Sequence, residues 1–394
     1  MSKTNNRPAR QTLLGGPIVP NRKMSQWGSG AILVQPDSLG RGYDGDWHTA
    51  VATRGGGVVQ LNLVNRRAVA FMPKVSGDSG WAVGRVSLDL RMAMPADFCA
   101  IIHAPALASP GHHVILGLID SGYRGTVMAV VVAPKRTREF APGTLRVDVT
   151  FLDILATPPA LTEPISLRQF PQLAPPPPTG AGIREDPWLE GALGAPSVTT
   201  ALPARRRGRS LVYAGELTPV QTEHGDGVRE AIAFLPKREE DAGFDIVVRR
   251  PVTVPANGTT VVQPSLRMLH ADAGPAACYV LGRSSLNARG LLVVPTRWLP
   301  GHVCAFVVYN LTGVPVTLEA GAKVAQLLVA GADALPWIPP DNFHGTKALR
   351  NYPRGVPDST AEPRNPPLLV FTNEFDAEAP PSERGTGGFG STGI

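Results

Sequence analysis

Five short segments of the sequence concentrate residues that could handle phosphate groups. Two of them carry an aspartate, Asp120 within Gly117–Gly125 and Asp245 within Asp241–Ile246. The others are Leu281–Leu286, Gly321–Leu327 and the glycine-rich stretch Arg384–Ile394. Each segment taken alone has an ordinary interpretation as a turn, an edge strand or a linker, because Asp, Gly and Ser are common in turns. Taken together, they predict a single site for a polyphosphate.

The donors in these segments are of the types that bind phosphate oxygens. A glycine-rich loop exposes its backbone N–H groups because no Cβ stands in the way. Ser391 and Thr392 add hydroxyl donors, and the guanidinium groups of Arg283 and Arg384 add forked cationic donors. A P-loop is excluded for the stretch Arg384–Ile394, because it lacks the lysine of that motif.

The remaining residue types suit hydrolysis of a nucleotide. Asp120 and Asp245 supply carboxylates for an attacking water and for the water shell of Mg²⁺, an ion that prefers oxygen ligands. Tyr123 and Phe389 supply two flat faces, one for a sugar and one for a base.

The composition predicts that short β-strands position these segments. The 394 residues include 42 glycines and 40 prolines, roughly twice the usual share of turn formers, and only 6% aromatic residues. A coiled coil is excluded by this composition and collagen by the absence of a three-residue glycine repeat. Apolar runs such as 58–64 and 127–132 end at Gly, Pro, Asn or Asp, which is typical of strands. We therefore expect an all-β fold of two jelly-roll-like β-barrel domains, with the segment 117–125 in a hairpin.

Changes in composition along the chain suggest five parts. We expect a disordered N-terminal arm, a first β domain, a linker rich in Pro and Arg, a second β domain and a flexible tail that carries the glycine-rich segment. Their predicted bounds are 1–28, 29–156, 157–210, 211–338 and 339–394.

The two β-rich blocks resemble each other. Leu90-Arg91-Met92 recurs as Leu266-Arg267-Met268, and a Pro-Gly before a strand at 142–143 corresponds to Ala320-Gly321. Because the two shifts are 176 and 178 residues, we interpret the blocks as an internal duplication.

The charge distribution and the cysteines exclude several classes of protein. The net charge is +6, but the basic residues are scattered apart from the cluster 205–209, which fits a nuclear-import signal, a phosphate contact or a solvated linker equally. We expect no specific nucleic-acid partner. Three distant cysteines make neither a disulfide framework nor a zinc site. With no signal peptide and no apolar stretch long enough to span a bilayer, we expect a soluble intracellular protein that is not secreted.

The five segments resemble the five motifs of the trimeric-type dUTP pyrophosphatases (dUTPases). These motifs read A-G-x-D, R-S, G-x-I-D-x-x-Y-R-G, G-x-x-x-A-Q and R-G-x-x-G-F-G-S-T-G, and the third and fifth match almost letter for letter at 117–125 and 384–393. The third motif precedes the first along this chain, and the length is doubled. Both features resemble the herpesvirus dUTPases, in which two fused copies form one active site in a monomer.

The resemblance implies a reaction and a role for each residue. It implies Mg²⁺-dependent hydrolysis of dUTP to dUMP and pyrophosphate, which lowers dUTP and supplies dUMP for thymidylate synthesis in the host nucleus or cytoplasm. Asp120 would act as general base, Tyr123 would pack on the deoxyribose, Asp245 would hold Mg²⁺ through water, and Phe389 would stack on uracil. The other implied substrate-binding residues are Gly117, Ile119, Arg124, Arg283, Ser284, Ser285, Gln326, Arg384, Gly390, Ser391 and Thr392.

Each half of the chain keeps motifs that the other has lost. In the second half, Thr296, Leu299 and Pro300 replace the Asp, Tyr and Arg of the third motif, and in the first half Asp148 replaces the equivalent of Gln326. Two residues depart from the family pattern: Ser285 replaces a usual Gly, and Lys323 stands where Arg is common.

Two other functions compete with this one. A dUTPase-fold protein repurposed to bind host proteins would be expected to have lost motifs, whereas all five are intact here. A dCTP deaminase of the same fold fits less well, because Asp120, Tyr123 and Phe389 together suit dUTP hydrolysis. We therefore expect a monomer that binds dUTP, and its host-protein partners are unknown.

Overall fold

The described part of the chain forms short strands and two helices of a single turn. The computed structural model describes residues 31–36, 46–53, 58–76, 80–104, 111–156, 199–202, 211–216, 238, 240–264, 266–272, 276–299, 304–331, 334–338 and 367–388. Four of the site residues named above, Phe389, Gly390, Ser391 and Thr392, lie outside this part, as do the basic cluster 205–209 and most of the expected linker and tail.

The strands are numbered here in chain order. They are β1 Ala31–Pro36, β2 Trp47–Thr53, β3 Val59–Asn65, β4 Val69–Ala70, β5 Met72–Ser76, β6 Trp81–Ser87, β7 Leu90–Ala93, β8 Phe98–His103, β9 His113–Ile115, β10 Gly117–Ile119, β11 Met128–Pro134, β12 Glu139–Phe140, β13 Arg146–Ala156, β14 Thr199–Leu202, β15 Leu211–Glu216, β16 Phe244–Val247, β17 Val252–Val254, β18 Thr259–Val262, β19 Leu266–Asp272, β20 Ala276–Gly282, β21 Leu291–Val293, β22 Thr296–Trp298, β23 Phe306–Asn310, β24 Val316–Leu318, β25 Lys323–Gly331 and β26 Leu368–Phe371. The helices are α1 Ser284–Asn287 and α2 Phe375–Glu378.

The expected all-β fold is confirmed. Among the described strands the sheets are open paths, most of them antiparallel, and the largest contains nine strands. One apolar core, which includes Leu61, Val131 and Phe151, lies within the first half of the chain. A second core, which includes Val280 and Phe306, lies within the second half. Within the described residues, no helix has the length and apolarity needed to cross a bilayer.

The pairing register supports an internal duplication. In the first half β8 pairs with β13, with His103 opposite Asp148 and Phe98 opposite Asp153. In the second half β20 pairs with β25, with Leu281 opposite Gln326. Since Leu281 and Gln326 each lie 178 residues after their counterparts His103 and Asp148, the two strand pairs have the same register.

The two halves share one sheet and a joint apolar cluster. The end of β13 pairs with the end of β25, Ile154 opposite Ala330, and so places β8 and β20 in the same nine-stranded sheet. A third cluster combines Ile101 and Leu118 from the first half with Tyr279 and Leu328 from the second. This contact fixes the relative position of the segments expected to form the site.

Part of the expected tail is ordered against the first half. Strand β26 pairs in parallel with β1, Leu33 opposite Val370, and α2 follows it. The apolar side chains of Val370 and Phe371 are buried, and the buried ring of Phe375 packs in a cluster with Leu33. The sequence expectation treated this region as tail because its apolar run is only four residues long, and it did not anticipate that β1 offers an edge to pair with.

Candidate active site

Residues from both halves line one cleft. The contributing first-half residues are Ile102, Ile115, Leu116, Gly117, Leu118, Ile119, Asp120, Tyr123, Met128 and Val130. The second half and the C-terminal segment contribute Asp245, Arg283, Ser284, Ser285, Asn287, Gln326, Arg384 and Gly388. Ten of the residues expected at the site from sequence are therefore brought together, and Arg124 is the described one that does not line the cleft.

The Asp120 turn lies at the end of an antiparallel hairpin. Strands β9 and β11 pair, Ile115 opposite Val130, and the connection between them contains β10 and the turn that starts at Asp120. The expected hairpin is thus present, with the motif in its connection, where β10 pairs with β8. The turn is closed by the Tyr123 N–H, which donates to the Asp120 carbonyl over 3.1 Å.

The Asp120 carboxylate is held by groups from elsewhere in the chain. Its Oδ1 accepts the backbone N–H of Ala242 at 2.7 Å. Its Oδ2 contacts Nη1 of Arg384, and the same nitrogen lies 2.7 Å from Oδ1 of Asp241. Because the side chain of Asp120 is only 10% exposed, the orientation of the carboxylate is strongly restricted.

Tyr123 presents its ring beside Asp120. Its hydroxyl donates to the carbonyl of Thr126 over 2.9 Å, and burial raises the pKa of the phenol despite the nearby positive charge of Arg384. A Cβ added at Gly125 would lie 2.6 Å from the Tyr123 hydroxyl oxygen, and one at Gly388 would lie 3.3 Å from the ring. Glycine at these two motif positions therefore leaves room for the ring.

Arg124 supports the turn from outside the cleft. Its guanidinium donates to the carbonyls of Ser121 and Pro380, at 2.6 and 3.2 Å. Its backbone N–H donates to the carbonyl of Gly385 at 2.8 Å. This arrangement makes Arg124 a residue that ties the C-terminal segment to the Asp120 turn.

Asp245 lies on β16 between two cations. Its Oδ1 is 3.3 Å from Nε of Arg283, its Oδ2 is 3.3 Å from Nζ of Lys323, and its side chain is only 2% exposed. Arg283 also donates to the carbonyl of Lys323 over 3.3 Å, which fixes the strand that carries Gln326. Within the described residues no group of three or more His, Cys, Asp or Glu is assembled for direct metal binding.

Gln326 and two glycines shape the neighbouring wall. The Gln326 amide donates to the carbonyl of Gly282 over 3.0 Å, just before Arg283. A Cβ at Gly243 would lie 3.1 Å from Oε1 of the Gln326 side chain, so the glycine of the A-G-x-D segment permits this close approach.

The corresponding position in the first half is occupied by an amide–carboxylate pair. Asn62 lies opposite Asp148 in the sheet, as Asp245 lies opposite Gln326 in the second half. The Asn62 amide donates to Oδ1 of Asp148 over 2.7 Å. Asn62 and Asp148 thus bond to each other, which is consistent with the loss of phosphate-binding residues expected for the first half.

Two residues at the site were missed by sequence reasoning. Asn287 is buried at 1% exposure, lines the cleft and donates from its amide to the carbonyl of Leu116 at 3.3 Å. Its position three residues after Ser284 in α1 places both on one helix face, which is a signal that could have indicated it. Glu240 contacts the C-terminal segment and immediately precedes the Asp241–Ile246 segment, but no sequence pattern distinguished it.

Comparison with known proteins identifies the family. A family model described as dUTPase matches residues 229–360. The chain is 76% identical over 371 residues to the deoxyuridine 5'-triphosphate nucleotidohydrolase of Human herpesvirus 2 (strain HG52), covering 94% of this chain and all of that protein. It is 31% identical over 290 residues to the protein of the same name from Equine herpesvirus 1 (strain Ab4p), covering 73% of this chain and 71% of that one. Among solved structures, the native EIAV dUTPase is 25% identical, with 24% of this chain and 79% of that chain covered and a TM-score of 0.22. This chain belongs to the dUTPase family, as a relative of the herpesvirus enzymes.

Proposed function

We propose that this chain hydrolyses dUTP to dUMP and pyrophosphate at the cleft between its two halves, using one composite site per chain. The observation that carries the proposal is the convergence of Asp120 and Tyr123 from the first half with Asp245, Arg283 and Gln326 from the second. One chain supplies all of these side chains, which supports a monomer. The same division supports two β domains with the bounds expected from the sequence, 29–156 and 211–338.

Asp120 is proposed as the general base. Its carboxylate, oriented by the Ala242 N–H, accepts a proton from a water that attacks the α-phosphorus. The new P–O bond forms as the bond between the α-phosphorus and its bridging oxygen breaks, and pyrophosphate leaves. In the structure Arg384 is paired with Asp120 and Asp241, so we propose that the outer phosphates draw the Arg384 guanidinium away from Asp120 as substrate binds.

The second half is proposed to bind the triphosphate. Ser284 and Ser285 begin helix α1 at the cleft wall, where Arg283 is fixed by Asp245 and by the Lys323 carbonyl. These donors stabilise the negative charge that develops on the leaving group. Phe389, Gly390, Ser391 and Thr392 are proposed to complete the enclosure, with Phe389 on the base.

The residues present fit a Mg²⁺ ion bound through water. Asp245 already has Arg283 and Lys323 at 3.3 Å, which disfavours direct coordination of a further cation and leaves the carboxylate able to accept hydrogen bonds from metal-bound water. When bound, Mg²⁺ neutralises charge on the triphosphate. The inner ligands would then come from the substrate and from water.

The first half is proposed to select the nucleoside. Strand β10 offers the backbone groups of Gly117 and Ile119 to uracil, and the Tyr123 ring packs on deoxyribose so that a 2′-hydroxyl would clash. Such an enzyme lowers dUTP and supplies dUMP for thymidylate synthesis.

Pyrophosphate release from dUTP, dTTP, dCTP and UTP with Mg²⁺ tests the proposal. Release confined to dUTP supports it, and withdrawal of Mg²⁺ by a chelator is expected to stop the release. A folded chain that releases no pyrophosphate from dUTP would contradict it, and would favour a dUTPase-fold protein that acts by binding host proteins.

A further inference from the structure

Glu240 adjoins one segment of the cleft and contacts two others. Its carbonyl accepts the Ser121 hydroxyl at 3.0 Å, from the turn that carries Asp120. Its carboxylate accepts the Ser382 hydroxyl at 2.6 Å and the Glu383 N–H at 2.6 Å, both from the C-terminal segment, defined here as residues 382–388. Glu240 itself immediately precedes the Asp241–Ile246 segment of the second half. The three parts of the composite site therefore meet at this residue.

The C-terminal segment is ordered by the serine that Glu240 binds. The Ser382 oxygen accepts the backbone N–H groups of Arg384 and Gly385, both at 3.1 Å, and so closes a tight turn. Gly385 occupies the left-handed region in this turn, with a φ of +56°. Glu240 thus determines where the turn lies, and the turn determines where Arg384 and Gly385 lie.

Arg384 and Gly385 are the residues by which the segment reaches the reacting groups. The Arg384 guanidinium pairs with Asp120 and Asp241, and Gly385 forms a parallel β-bridge with Tyr123. A displacement of the Ser382 turn would therefore move the donor on Asp120 and the backbone that covers Tyr123.

The surroundings of Glu240 are shaped for its side chain. A Cβ at Gly122 would lie 1.5 Å from the Glu240 carboxylate oxygen Oε2, so only glycine at this position lets the turn backbone approach so closely. Burial would raise the pKa of Glu240, but hydrogen bonds from Ser382, Glu383 and Arg384 and the charge of Arg124 lower it overall. The carboxylate is therefore held in its charged form.

We infer that Glu240 is a positioning residue for dUTP hydrolysis, which seats the C-terminal segment on Asp120 and Tyr123. The inference rests on the proposed function for its effect on catalysis. Its structural content, the docking of residues 382–388, is independent of activity.

A double-mutant cycle in the full chain tests the inference. Glu240→Ala, Ser382→Ala, the double variant and Glu240→Gln are compared, with Glu319→Ala as an exposed control. Amide hydrogen exchange of residues 382–388 without nucleotide reports docking, and kcat and KM for dUTP report catalysis. Thermal unfolding checks that each variant folds.

The expected results separate positioning from general stabilisation. Glu240→Ala is expected to speed exchange across 382–388 and to lower kcat/KM by about tenfold, since charged hydrogen bonds are lost. Ser382→Ala should also speed exchange and lower kcat/KM, and the double variant should lose less than the product of the two single losses, because the two side chains share one contact. Glu240→Gln should restore part of the protection relative to Glu240→Ala, since its single amide oxygen can still accept one of the two hydrogen bonds that the carboxylate accepts.

Two outcomes would overturn the inference. One is unchanged exchange of residues 382–388 in Glu240→Ala. The other is a double variant whose fold-loss in kcat/KM equals the product of the fold-losses of the two single variants. If Glu240→Ala speeds exchange but the parent chain does not hydrolyse dUTP, the proposed function is refuted and the docking role of Glu240 stands.

Discussion

The backbone N–H of Ala242 donates to Oδ1 of Asp120 over 2.7 Å, although 122 residues separate them. The donor belongs to the second half of the chain and the acceptor to the first. Because this bond fixes one carboxylate oxygen, the other is left facing Arg384. The orientation of the proposed base therefore depends on the packing between the two halves, through the shared cluster that contains Leu118 and Tyr279.

Asp120→Asn is expected to remove activity while the fold is kept. The asparagine can still accept the Ala242 N–H with its carbonyl oxygen, but it cannot take a proton from water. The loss of a general base lowers kcat by about 10²–10⁴-fold. Pyrophosphate release from dUTP measures the effect.

The matched control is Asp46→Asn, an exposed carboxylate that lies 3.9 Å from Arg67. This change removes the same charge but should leave kcat within about twofold, because exposed ion pairs contribute little. Comparable losses in both variants, or full activity in Asp120→Asn, would contradict the proposed role.

Tyr123→Ala is expected to weaken discrimination between dUTP and UTP. With the ring removed, nothing at this position meets a 2′-hydroxyl, and the kcat/KM ratio of dUTP to UTP should fall by about tenfold or more. Tyr123→Phe is the companion change, since it keeps the ring and removes only the hydroxyl bond to the Thr126 carbonyl. Steady-state kinetics with both nucleotides decide, and an unchanged ratio in Tyr123→Ala would exclude the ring as the selecting group.

The sequence indicated the candidate site residues better than the contacts that position them. Motif letters and spacing are local, so Asp120, Tyr123, Asp245 and Gln326 could be named as candidates from the amino-acid sequence alone, and each lines the cleft. The all-β class also followed, from the many turn formers and the short apolar runs between them.

The groups that hold these residues in place come from distant segments of the chain, and a local sequence pattern does not indicate such contacts. The pairing of β13 with β25 and of β26 with β1 joins strands that lie far apart in the chain. Arg384 was expected to contact phosphate, and its guanidinium pairs with the carboxylates of Asp120 and Asp241, two contacts that its motif does not reveal.

Stability is expected to fall at alkaline pH because of buried thiols. Burial raises the pKa of Cys278 from 9.0 to about 12. Because the thiol ionises more readily in the unfolded chain than in the folded one, its contribution to the free energy of unfolding is complete below pH 9. This contribution is lost as the pH rises towards 12. The free energy of unfolding should decline by about 1.4 kcal/mol per pH unit for this thiol.

Urea unfolding at pH 8 and pH 10.5 measures the decline, with Cys278→Ala as comparison. Other groups titrate equally in both chains, so the variant should lose about 2 kcal/mol less between these pH values. Identical losses would show that the Cys278 thiol is not the cause.

Asn287→Ala is expected to weaken substrate binding with little change in kcat. The Asn287 amide ties the carbonyl of Leu116, at the start of the connection proposed to bind the nucleoside, to the helix that carries Ser284 and Ser285. Without this bond, the parts of the cleft proposed to bind uracil and phosphate should be less well aligned before substrate arrives. We expect KM for dUTP to rise by about three- to tenfold, as for the loss of one buried hydrogen bond.

Asn310→Ala provides the matched control. Asn310 is equally buried in the same half, where its amide donates to the carbonyls of Val254 and Val314, but it does not line the cleft. Its removal should lower the urea midpoint without changing KM, because the folded fraction keeps an intact site. An equal rise in KM for both variants would mean that Asn287 acts through stability alone, whereas a rise confined to Asn287→Ala assigns it to the alignment of the two halves.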